Sequence, residues 1–165
     1  LAQARTTSKE RETMIKRAVA VLAATLCVGA SAASAADQLG DPLAGLQSGK
    51  KAFEAACSRC HKLDLPLSKR LDRAGWEQLM GAMTARGASF EPAQRQLIVD
   101  YLVVKSTFET KCSSCHGIES TLAAKRTRAE WTATVERMAK KKQPVFTAEE
   151  LRMITAYLTL VVGSE

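Results

Sequence analysis

Histidine is nearly absent from this 165-residue chain: there are two, His61 and His116. Any chemistry that needs an imidazole must use those positions. Cysteine is as restricted. Cys27 stands in an apolar stretch near the start, and the other four form two close pairs, Cys57/Cys60 and Cys112/Cys115, so no thiol remains for a structural disulfide. No stretch alternates apolar and polar residues convincingly, which excludes a sheet-built fold and leaves the all-α class. No apolar run is long enough to span a bilayer comfortably. The best one, residues 18–30, has 13 residues, against roughly 20 needed. Glycine and proline are missing from Ala93 to His116, which excludes a flexible linker there. No residue set offers a nucleophile or a general acid–base pair.

What is present is a motif given twice. Cys57-Ser58-Arg59-Cys60-His61 recurs as Cys112-Ser113-Ser114-Cys115-His116, 55 residues on. C-x-x-C-H is the attachment sequence of a c-type haem: the two thiols bond the porphyrin's vinyl groups and the adjacent His lies under the iron. Two covalent haem c groups are therefore expected, with His61 and His116 as proximal ligands. One competing arrangement is a four-cysteine zinc site built on the two knuckles, which leaves both His idle. Another is a pair of thioredoxin-like redox motifs, which would want a βαβ context.

The start of the chain reads as an export signal. Residues 1–13 are polar and read as upstream read-through. Met14 opens a positive segment, Ile15-Lys16-Arg17, followed by the apolar run and the small residues of 31–36. That order is a cleavable secretory signal over 14–36, which implies a periplasmic protein with no stable membrane anchor. The formal charge of +7 is then no argument for nucleic acid. Residues 1–36 carry +3 of it, and haem propionates would offset the remainder.

From residue 48 an internal repeat is legible, after a leader or linker over 37–47. Phe53 and Phe108 stand four residues before their first Cys. Arg73, Trp76 and Met83 match Arg128, Trp131 and Met138 at the offset of 55. After a one-residue insertion Phe90, Ile98, Tyr101 and Leu102 match Phe146, Ile154, Tyr157 and Leu158 at 56. The expected organisation is two tandem three-helix haem modules, 48–104 and 105–165. In each, a first helix runs into the motif. A second starts at Asp72 or at the Thr127/Glu130 capping box, and a third near Pro92 or at the Thr147/Glu150 box. With only Lys105-Ser106-Thr107 between the patterns, the last helix of the first module is expected to run into the haem helix of the second. That would hold the two haems at a fixed separation. Two such small modules bury little core on their own, so the chain is expected to be poorly folded without haem.

The far side of each iron must be filled by something other than His. Met is a good iron ligand. Among the five Met, Met83 and Met138 alone recur, each 22 residues after its His. They are the candidate distal ligands, against the alternative that they merely complete the apolar stripe of the second helix. Arg73 and Arg128 either contact haem propionates or stand as cations on a solvated helix start. Trp76 and Trp131 read as core or haem-packing residues. Lys140-Lys141-Lys142 either docks an acidic partner or complements the negative end of the second helix.

The C-x-x-C-H, the Phe four residues before it and the Tyr of the last helix resemble class I cytochromes c. The Arg-x-x-Trp with Met seven after Trp is similar to the dihaem-binding domain of quinohaemoprotein amine dehydrogenase alpha subunits and to cytochrome subunits of sulfite dehydrogenases. The resemblance covers about residues 48–161. It implies a periplasmic dihaem cytochrome c, an electron carrier and not an enzyme. Its partners would be redox proteins, a dehydrogenase or another cytochrome. The alternatives left open are the electron-accepting subunit of a periplasmic dehydrogenase, and a haem enzyme or gas sensor with one open distal site.

Overall fold

In this computed structural model residues 40–141 and 144–163 are described. The signal over 14–36, the read-through over 1–13, residues 37–39 of the leader and Lys142 lie outside the described residues.

The first helix, α1 (Pro42–Cys57), begins where a proline meets a cap. Asp41 is extended, its carboxylate accepts from the Leu43 backbone N–H at 3.0 Å, and Pro42 takes the first helical position. Proline lacks the N–H that would be orphaned there anyway. The expected leader over 37–47 is corrected here: residues 42–47 are helical, and Leu46 is buried. Leu46, Gly49 and Phe53 form the buried stripe. Past the motif come a one-turn helix α2 (Asp64–Leu67), then α3 (Arg73–Ala85), α4 (Pro92–Cys112), a short α5 (Glu119–Ala123), α6 (Arg128–Ala139) and α7 (Ala148–Val162). Among the described residues there is no strand, only an isolated bridge between Arg126 and Gly163. The fold is all-α.

The helix starts are written in capping residues. Asp72 accepts from Gly75 N–H at 2.8 Å ahead of α3. Thr127 with Glu130, and Thr147 with Glu150, form complete capping boxes ahead of α6 and α7. Each such cap contributes about 1 kcal/mol. Phe146 ahead of the last box and Leu151 just inside α7 both pack on the core.

α4 organises the rest. It runs unbroken for 21 residues, about 30 Å, and the expected module boundary at 104/105 falls inside it. Its first half carries Ile98, Tyr101 and Leu102, the second Phe108 and Cys112. It packs against α1, α3 and α7, and α1 also packs against α7. The first helix of the repeat therefore touches the last. The α1–α4 crossing is close because of Gly49. A Cβ there would collide with the Leu97 carbonyl oxygen and lie 2.9 Å from Tyr101 Cβ.

At the centre four rings form a ladder. Phe53 meets Tyr101 at 5.8 Å between centroids, Tyr101 meets Tyr157 at 6.1 Å, and Tyr157 meets Phe108 at 5.5 Å, all tilted. These separations are typical of favourable aromatic pairs. Phe53/Phe108 and Tyr101/Tyr157 are repeat partners, so the ladder is symmetric about its middle contact. Burial raises the Tyr101 hydroxyl pKa to about 12, helped by the negative charges of Glu54 and Glu109, and moves Tyr157 in the same direction.

Candidate functional site

α1 and α4 each end at the first cysteine of a C-x-x-C-H, and the next residues of the motif form a turn. Ser58 and Ser113 carry the turn, their N–H groups donating to the Glu54 and Glu109 carbonyls at 3.2 Å. Both imidazoles are then fixed in the same way. His61 Nδ1–H donates to the Lys62 carbonyl at 3.1 Å, and His116 Nδ1–H to the Gly117 carbonyl at 2.9 Å. A carbonyl can only accept, so the proton sits on Nδ1 and the Nε2 lone pair is left to ligate.

Two cavities adjoin these rings, and nine of the eleven positions lining the first recur in the lining of the second. The first, about 100 Å³, is lined by Phe53, Cys57, His61, Trp76, Met83 and Leu102 among others. The second, about 370 Å³, is lined by Phe108, Cys112, His116, Trp131, Met138 and Leu158 at the same repeat positions. So the structure brings His61 and Met83 to one cavity and His116 and Met138 to another. Cys115 also lines the second cavity. The size difference follows from the walls. Where the first has Pro66, Leu79 and Met80, the second has Thr121, Thr134 and Val135.

The donor chemistry fits a flat, mostly apolar group held by two thiols and an imidazole. The walls are chiefly hydrocarbon. One buried donor is left over: Trp131 Nε1 has no acceptor, whereas Trp76 Nε1 donates to Ser106 Oγ at 3.0 Å. A buried N–H without a partner costs about 1–3 kcal/mol, so it fits a group that brings an acceptor into the second cavity. Arg126, also with an unpartnered Nε, stacks its guanidinium 5.5 Å from the Trp131 ring. Burial pushes the Cys112 thiol up to about 11 and raises Cys57 as well. Redox-active thiols are instead depressed toward neutrality. Among the described residues no three His, Cys, Asp or Glu gather as a set that could hold a metal ion, so the four-cysteine zinc alternative has no geometry here.

Arg73 and Arg128 line neither the cavity beside His61 nor that beside His116. Arg73 pairs with Asp100 at 2.5 Å, and Arg128 grips Asp41 with both terminal nitrogens at 2.9 and 2.8 Å. That grip holds the Asp41 carboxyl below the usual carboxylate range. Both are helix-start cations engaged with carboxylates. Lys141 lines the second cavity, and Lys140 lies exposed beside it.

Sequence reasoning missed three features. The one-turn helices after each His were too short for a periodic signal. The Ser106 acceptor for Trp76 lies 30 residues away, beyond any local pattern. A third signal was legible and passed over: Lys50 and Glu54 recur as Lys105 and Glu109, at the same offset as the motifs. Comparison with family models, with curated proteins and with solved structures gives no match for this chain.

Proposed function

We propose that the chain is a dihaem c-type cytochrome that passes single electrons between redox protein partners in the periplasm. The observation that supports this reading best is the pair of matched cavities. In each, the His of a C-x-x-C-H, its first Cys, a Trp and the recurring Met come to one place. Haem c supplies the one-electron iron chemistry when bound, and the protein supplies ligands, burial and orientation. Cys57 and Cys60, and Cys112 and Cys115, would anchor the two groups. His61 and His116 present Nε2, held by the carbonyl contact at Nδ1. Met83 and Met138, on the walls of the same cavities, would supply thioether donors. Both the shared α4 and the ring ladder favour a fixed spacing between the two groups, as a carrier of two electrons taken one at a time requires. Arg73 and Arg128 enter this reading as struts at helix starts.

A second reading draws on one specific observation. Met138 is 38% exposed and fronts the wider cavity, so the second site suits a displaceable distal ligand, as in a sensor of small gases. A redox titration with spectra on the exported protein tests both. Two haem equivalents with the weak red band of a Met–Fe(III) bond are expected. No covalent haem would end the proposal. Rapid carbon monoxide binding by the reduced protein would favour the second reading.

A further inference from the structure

The repeat places the same ion pair one turn ahead of each motif, and the fold treats the two copies differently. Lys50 and Glu54 meet at 2.6 Å on the surface, their side chains 35% and 44% exposed. Lys105 and Glu109 meet at 2.7 Å with 5% and 18% exposed. The cause is α4. Its middle turns are also the end of the first unit, so the face that solvates Lys50 on α1 is covered at Lys105. The Lys105 ammonium donates additionally to the Leu67 carbonyl, and Arg70 approaches Glu109 at 3.4 Å. Leu67 and Arg70 belong to the segment after His61, whose Pro66 and Lys69 line the first cavity. Glu109 adjoins Phe108 and lies one turn before Cys112, both on the wall of the second.

Burying an ion pair gains little stability over an apolar replacement of the same shape. What it does create is a fixed field. Charges in a poorly solvated interior act over several ångströms at strength, whereas an exposed pair is screened by water and salt. The buried pair Lys105–Glu109 sets one cation and one carboxylate at fixed places beside the two sites that would each accept an electron, while Arg70, 55% exposed, stands at its edge in water.

We propose that the buried pair Lys105–Glu109, flanked by the exposed Arg70, holds the charges that set the reduction potentials of both haems, and that Lys50–Glu54 is its inert surface copy. The inference rests on the haem reading above. Reduction adds one electron from the mediator to each Fe(III), giving Fe(II), and a nearby cation stabilises that added charge. Removing the cation must then lower the potential, and removing the carboxylate must raise it.

The experiment is a spectroelectrochemical titration of the exported, haem-loaded protein and its variants, with thermal unfolding measured alongside. Lys105→Met is expected to lower both potentials and Glu109→Gln to raise them, while Lys105→Arg leaves them in place. Lys50→Met and Glu54→Gln are expected to shift them by less than half as much. A merely structural role predicts lower melting temperatures without opposite shifts. Shifts of one sign for Lys105→Met and Glu109→Gln, or shifts no larger than those of the surface pair, overturn the proposal. Should Lys105→Met fail to fold, Glu109→Gln and Arg70→Gln carry the same opposition of sign. Wild-type protein with no covalent haem overturns the functional reading itself; two haems with unmoved potentials overturn this inference alone.

Discussion

The two regions around His61 and His116 share a plan and differ in how tightly it is executed. Around His61 the walls are bulky, the ring is half-buried, and Trp76 has its hydroxyl partner in Ser106. Around His116 the walls are smaller, the ring is exposed, Met138 reaches solvent, and Trp131 lacks an acceptor. The reason lies in the side chains and not in the number of helices. The first region is walled by α1, α2, α3 and the middle of α4, the second by the end of α4 with α5, α6 and α7. At matched positions the first has Pro66, Leu79 and Met80 where the second has Thr121, Thr134 and Val135. A duplicated sequence therefore gives two sites on equivalent sets of helices whose environments diverge through substitutions in their walls.

The largest test of this comparison removes one anchor pair at a time. Serine at Cys112 and Cys115 should halve the haem absorbance and the covalent mass increment, and so should serine at Cys57 and Cys60. The loss of the second group leaves the wider cavity empty and should lower the melting temperature more. Equal losses would break the asymmetry. Next is Gly49→Ala, which forces α1 away from Leu97 and should cost about 1–3 kcal/mol in denaturant unfolding. The repeat partner of Gly49 is Val104, a side chain already accommodated, so the second unit shows no such sensitivity.

Trp76→Phe leaves the buried Ser106 hydroxyl without its donor and should cost about 1–2 kcal/mol. Trp131→Phe removes an N–H that no protein group accepts, and should cost less. An equal loss in the haem-loaded protein would report that the occupant of the second cavity accepts that hydrogen. The ladder adds a pH dependence. The Tyr101 pKa rises from about 10 when unfolded to about 12 in the fold, so between those values the unfolded chain has released a proton that the native chain keeps. Stability is fully present below pH 10 and falls as pH rises toward 12, with tyrosinate absorbance appearing only as the fold is lost. The smallest effect is at the caps. Thr127→Ala and Thr147→Ala should each cost about 1 kcal/mol by thermal unfolding.

Much of the fold was legible because its signals are local. Pro92, Thr127 with Glu130, and Thr147 with Glu150 mark the start of helices where a proline or a capping box demands one. The continuity of α4 was readable from the missing glycine and proline. Asp41-Pro42 carried the same start signal as the later caps but was read as leader, because Gly40 and Gly45 flank it. Of the candidate site, the cavity-facing positions of Met83 and Met138 followed from repetition, since two copies of one geometry constrain each other. The sizes of the cavities did not, although Thr134 and Val135 opposite Leu79 and Met80 hinted at them. Burial of Lys105 could not be read at all. Its local pattern is that of Lys50, and only the packing of the first unit onto α4 separates them.

α4 also bears on how such a chain could be taken apart. Its middle turns close one cavity while its end presents Cys112 to the other, and each cavity is walled from its own half of the repeat. The core is not divided in that way: Trp76 donates to Ser106, Lys105 to the Leu67 carbonyl, and Tyr101 meets Tyr157 across the boundary. Cutting between 104 and 105 would leave each half its cavity but strip both of the core they share. The chain should accordingly melt in one transition, with the stability of each half borrowed from the other.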